Sequence, residues 1–110
     1  MRGIIDTGAD VTYVDASVIE QLQPPELPAT AKVQTTTSGL VKCRGYVVAI
    51  GLVLDSGKPL FPFDAIAVYV VPNPAKECDV LIGRDILSRG VLTYDGPAGT
   101  FTLSFPHEGT

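Results

Sequence analysis

Glycine and proline divide this chain into short pieces, and that division limits what it can fold into. Eleven Gly and nine Pro are spread over 110 residues, and between them lie short runs rich in β-branched and aromatic side chains. Gly3-Ile4-Ile5 reads as the end of a strand entering the turn Asp6-Thr7-Gly8-Ala9. Asp15 is placed to N-cap a helix over Ala16 to Leu22, with Val18, Ile19 and Leu22 on one face. Pro24, Pro25 and Pro28 stop that helix and impose an extended loop. Lys32 to Thr37 and Leu40 to Ile50 form a β pair around a Ser38-Gly39 tip, and Gly51 marks a bend before Leu52-Val53-Leu54. Phe61 to Val71 is apolar from Ala65 onward, which predicts a strand buried on both faces. Val80-Leu81-Ile82 stops at Gly83, one or two helical turns follow over Arg84 to Ser88, and Val91 to Tyr94 pairs with Thr100 to Phe105. The expectation is one mostly β domain over residues 1–110 with one or two short helices.

Composition then removes whole classes of function. Charged residues make up 18% and the formal net charge is −4, so a nucleic-acid footprint is not expected. The longest apolar run, Val47 to Leu54, is too short to span a bilayer. No charged leader precedes an apolar stretch at Met1, which reads as no secretory signal and a cytoplasmic protein. Cys43 and Cys78 form no C-x-x-C, so no zinc site or other metal is expected; they make one disulfide or, on the plainer reading, two thiols. His107 alone, beside Pro106 near the chain end, is poorly placed for Ser-His-Asp or Cys-His chemistry. Phosphate-cradling Gly loops are missing as well. Carboxylates are what remain for catalysis, and no cofactor is called for.

Asp6-Thr7-Gly8-Ala9 is the sharpest carboxylate feature, although Asp and Gly also make plain turns. Its setting is repeated in outline: two apolar residues lead into Asp6-Thr7-Gly8, and two lead into Gly83-Arg84-Asp85. The two could be strands ending at the same layer of a pseudo-symmetric barrel. Ile4-Ile5-Asp6-Thr7-Gly8-Ala9-Asp10 together with Val80-Leu81-Ile82-Gly83-Arg84-Asp85-Ile86-Leu87 resembles the retropepsin-like aspartic proteases, and residues 92–101 resemble the bacterial branch of that family.

The resemblance implies a retropepsin-like closed β-barrel, the acid protease fold, with a flap hairpin. It implies an aspartic endopeptidase that hydrolyses extended peptides, with water activated between the Asp6 carboxyls of a homodimer. One Asp-Thr-Gly per chain requires the second copy, since one carboxylate must act as general base and one protonated carboxyl as general acid. Its partners are then itself and a peptide or protein substrate. Thr7 would bond across the dimer axis, and Gly8 would let main chain approach closely. Ala9 stands where many relatives carry a Ser donor. Asp10 and Arg84 would form a buried pair beside the active-site loop, the alternative being two surface charges. Ser38 and Gly39 would be the flap tip over the substrate. Asp55, Asp64, Asp79, Asp85 and Asp95 read as solvated turn or strand-end residues, and Tyr13, Tyr46, Tyr69 and Tyr94 as half-buried strand residues that the pattern cannot rank.

Relatives carry a further strand and hairpin ahead of the motif, whereas Met1 to Ile5 alone precede Asp6 here. A strand at that position then lacks a neighbour for its main-chain groups. The alternative function is therefore a catalytically inactive or truncated domain of the same type, kept for binding or oligomerisation.

Overall fold

A computed structural model describes residues 1–28, 30–35, 39–53, 59–70 and 78–106. The chain runs β1 (Gly3–Ile5), β2 (Thr12–Val14), α1 (Ala16–Leu22), β3 (Ala31–Thr35), β4 (Gly39–Cys43), β5 (Gly45–Val53), β6 (Pro59–Val70), β7 (Val80–Ile82), α2 (Arg84–Leu87), β8 (Val91–Asp95) and β9 (Thr100–Ser104). It is a mostly β domain with two short helices. No helix among the described residues is long and apolar enough to cross a membrane.

The five-stranded sheet has the order β1-β7-β2-β6-β5, and β3-β4 and β8-β9 are separate hairpins. No closed barrel forms among the described residues: the sheet stays open, with β1 and β5 as its edges. Both edges border one cleft of about 1040 Å³, together with the β8–β9 hairpin. The expected second β run is also two strands. It breaks at Arg44, whose carbonyl accepts from Val70 N at 3.1 Å, so β4 stays with its hairpin while β5 joins the large sheet.

Alternation along the strands sends Ile5, Ile82, Val14, Ile66 and Val68 into one core. Phe63 is 2% exposed and meets Phe105 edge-to-face at 5.5 Å, with the Arg89 guanidinium 5.2 Å from its ring centre. The expectation that β6 is buried on both faces is overturned. Ala65 and Ala67 are exposed while Ile66 and Val68 are buried. The outward positions 65 and 67 of β6 are filled by a small apolar residue that reads like core in the sequence. Register shifts fall around Gly51, where a bend was expected.

α1 matches its expected span. The Asp15 carboxylate accepts from Ser17 N at 3.1 Å and from the Ser17 hydroxyl, which satisfies a free N–H of the first turn. These bonds hold its carboxyl below the usual carboxylate range. Val18 is buried, but Leu22 lies 52% exposed at the helix end, where Gln23 turns left-handed and its N donates to Ile19 O. Cys43 and Cys78 are not joined in a disulfide.

Candidate active site

The site is built on a strap. β1 and β2 are consecutive in the sequence, yet β7 lies between them, parallel to β1 and antiparallel to β2. Residues 6–11 must therefore cross over the end of β7. The register sets Ile4 beside Leu81 and Ile5 beside Ile82, so the two motifs end side by side at one layer. Asp6 N donates to Ile82 O at 2.9 Å, which fixes the start of the strap on the strand beneath it.

Asp6 is half-buried, and its Oδ1 accepts from Gly8 N at 2.9 Å. A Cβ on residue 8 would sit 3.2 Å from that oxygen, tighter than an ordinary contact. Glycine leaves the carboxylate its space and its donor. Ala9 is 8% exposed, and its N donates to Asp6 O at 3.2 Å. In the middle of the strap Ala9 O accepts from Arg84 N at 2.8 Å. Gly83 lies directly below: a Cβ there would fall 2.2 Å from Val11 O and 3.0 Å from Ala9 O. Only a residue without a side chain lets the strap lie so low.

Asp10 and Arg84 meet as an ion pair, the pairing that the resemblance implies. The pair is not buried, however: the side chains are 80% and 55% exposed. Solvent screening leaves such a pair little to contribute in the single chain. Thr7 and Gly8 are exposed, and Thr7 borders the cleft described above. Gly39 opens β4 with φ +69°, a left-handed conformation suited to a hairpin tip; Ser38 lies outside the described residues.

Two features were not legible beforehand. The first is a row across the sheet on the face opposite the core: Ile4, Leu81, Tyr13 and Tyr69 are successive cross-strand partners. All but the 39% exposed Ile4 are half-buried. Burial pushes the Tyr13 phenol up, and the neighbouring Cys43, Asp85 and Asp6 charges add to the rise. Tyr13 thus shares an electrostatic neighbourhood with Asp6, a ranking among the tyrosines that requires the strand register. The second is Asp85, read from the sequence as solvated. Its carboxylate accepts from Thr12 N at 3.1 Å, from the Thr12 hydroxyl at 2.7 Å and from Ile86 N at 2.9 Å. Asp79 is likewise engaged, accepting from Arg2 N at 2.8 Å.

No family model, curated protein or solved structure matches this chain.

Chemically, the arrangement offers an accessible carboxyl that accepts from one main-chain donor, in the neighbourhood of a half-buried apolar and aromatic row. Such a group can take or give a proton. It cannot do both at once, so water-mediated acyl hydrolysis needs a second acid.

Proposed function

We propose that this chain is an aspartic endopeptidase of the retropepsin-like type, acting as a homodimer on extended peptides. The observation that carries the reading is the strap: Asp6 leaves the end of a strand as an accessible carboxyl whose height is set by main-chain bonds to Ile82 and Gly8. Catalysis by two carboxyls about 3 Å apart demands that kind of fixed placement, because only closely held acids share one proton. In the proposed reaction one Asp6 carboxylate takes a proton from water as its oxygen attacks the scissile carbonyl. The partner's Asp6, protonated, gives its proton to the carbonyl oxygen. Collapse of the resulting diol breaks the C–N bond as the amine takes up a proton.

Further support comes from the surroundings. Ile4, Leu81 and Tyr13 offer an apolar floor to a bound peptide, and the β3–β4 hairpin is the element that would close as a flap. Exposed apolar side chains around the cleft, among them Met1, Val53, Tyr94 and Phe101, give a second copy something to cover. The sheet that stays open among the described residues, with β1 at one edge, favours the second reading, a domain that binds or oligomerises without cleaving.

Cleavage of fluorescein-labelled casein, measured across pH and protein concentration with Asp6→Asn in parallel, separates the two. The peptidase reading expects a rate that rises faster than linearly with protein concentration and vanishes in Asp6→Asn while folding is retained. A folded wild-type chain that leaves casein intact, or an Asp6→Asn variant that still cuts it, removes the reading.

A further inference from the structure

Thr12 is the most completely buried polar residue described, with 0% of its surface exposed. Its hydroxyl is used twice. It donates to Asp85 Oδ1 at 2.7 Å and accepts from Gly83 N at 3.2 Å, while Thr12 N donates to Asp85 Oδ2 at 3.1 Å. Thr12 opens β2 at the point where the strap ends, and Asp85 lies in the first turn of α2. The strap is thus tied at three places to one corner of the chain. Asp6 N rests on Ile82 O, Ala9 O takes Arg84 N, and Thr12 is locked to Gly83 and Asp85.

We propose that Thr12 and Asp85 are positioning residues for Asp6, holding the far end of the strap so that its near end presents the carboxyl at a fixed height. The proposal rests on the peptidase reading and adds two residues to it, neither of which touches substrate. The chemistry of the lock is demanding. A hydroxyl that donates and accepts at once has no isosteric replacement among apolar side chains. Valine would fill the same volume, leave Gly83 N–H without its acceptor and reduce Asp85 Oδ1 to its bond from Ile86 N. Serine alone preserves both bonds. An amide at position 85 could accept one Thr12 donor, but its NH₂ would oppose the other. Because the lock lies beyond the strap from Asp6, its loss shifts the carboxyl without removing anything that contacts a peptide. The expected signature is a fall in kcat at unchanged KM.

The experiment uses the whole chain with Thr12→Val, Thr12→Ser and Asp85→Asn, and two readouts. With labelled casein as probe, Thr12→Val and Asp85→Asn should lower kcat at least about tenfold, the scale of a misplaced catalytic group, with apparent KM unchanged. Thr12→Ser should restore the rate. Amide exchange should show Gly83 and Arg84 N–H groups released in Thr12→Val while Val68 in the core stays protected. Wild-type kcat in Thr12→Val, or a serine variant as impaired as the valine one, overturns the proposal. So does a loss of protection that reaches the core, which would make the effect general destabilisation. If the wild-type chain does not cleave casein, the peptidase reading fails on its own. Exchange then decides the lock: unchanged Gly83 and Arg84 amides in Thr12→Val overturn it, and their selective release upholds it.

Discussion

Replacing Gly83 by alanine adds one methyl group at the crossing of the strap and β7, and its cost can be worked from distances. The new carbon would lie 2.2 Å from Val11 O and 2.5 Å from Val11 C, against an ordinary non-bonded separation of about 3.5 Å. Gly83 has φ −95° and ψ −175°, extended backbone that alanine adopts freely, so the penalty is steric alone. Both obstructing atoms are main chain, and no rotamer change relieves them. The strap must rise by about 1 Å or more, at an overpacking cost of about 1–3 kcal/mol. Rising also strains Arg84 N to Ala9 O at 2.8 Å and Gly83 N to Thr12 Oγ at 3.2 Å, each worth about 1 kcal/mol. The total of about 3–5 kcal/mol is a large part of the roughly 5–15 kcal/mol that holds a small domain together. At about 4 °C or more per kcal/mol, Tm should fall by at least about 12 °C. Urea and thermal melts followed by circular dichroism measure this, with Gly51→Ala as control, since no atom lies within 4 Å of a Cβ there. A Gly83→Ala protein within about 1 kcal/mol of wild type would mean that the strap is not pressed on β7, and the argument from close approach would fail with it.

Two other tests probe different parts of the chain. Asp15 has its folded carboxyl lowered by its bonds to Ser17, so its contribution to stability is full above the unfolded value of about 3.9 and is lost as pH falls through the lower folded value. Asp15→Asn, which keeps an N-cap, should flatten that part of the stability profile in urea melts between pH 6 and pH 3; an identical acid limb in both proteins contradicts the assignment. Burial raises both thiols, so each stays protonated near neutrality and alkylates slowly. Iodoacetamide pulses read by mass spectrometry should label the half-buried Cys78 first and Cys43, 1% exposed, only on unfolding; equal rates in the folded protein would count against the burial of Cys43.

Local signals survived the passage from sequence to structure better than long-range ones. Asp15 followed by Val18 and Ile19 defines α1 because capping and face are decided within two turns. Asp6-Thr7-Gly8 makes its turn from its own residues, as does the β8–β9 hairpin. Ala65 and Ala67 misled because hydrophobicity does not say whether a sheet has a second layer over it. The open sheet was missed for a related reason: closure depends on what meets the β1 and β5 edges, which no local pattern encodes. The resemblance implied a buried Asp10–Arg84 pair; the two do meet, but the pair is exposed, because burial depends on what surrounds it. Asp85 was the costliest miss. A single Asp after Gly-Arg looks like any helix-start residue, and its partner Thr12 is 73 positions away.

That separation has a consequence for how the protein is made. β1 and β2 leave the ribosome almost together, but neither can pair with the other, because the strand that belongs between them is still to be synthesised. Every bond that seats the strap on β7 and α2 joins residues some seventy positions apart, such as 71 for Gly83 to Thr12. Contacts of that range form slowly and late. A nascent chain halted before Ile82 therefore carries its Asp-Thr-Gly turn without any of the bonds that seat the strap on β7 and α2. Under the proposed peptidase reading, the order of synthesis would withhold the seated strap until α2 has been made.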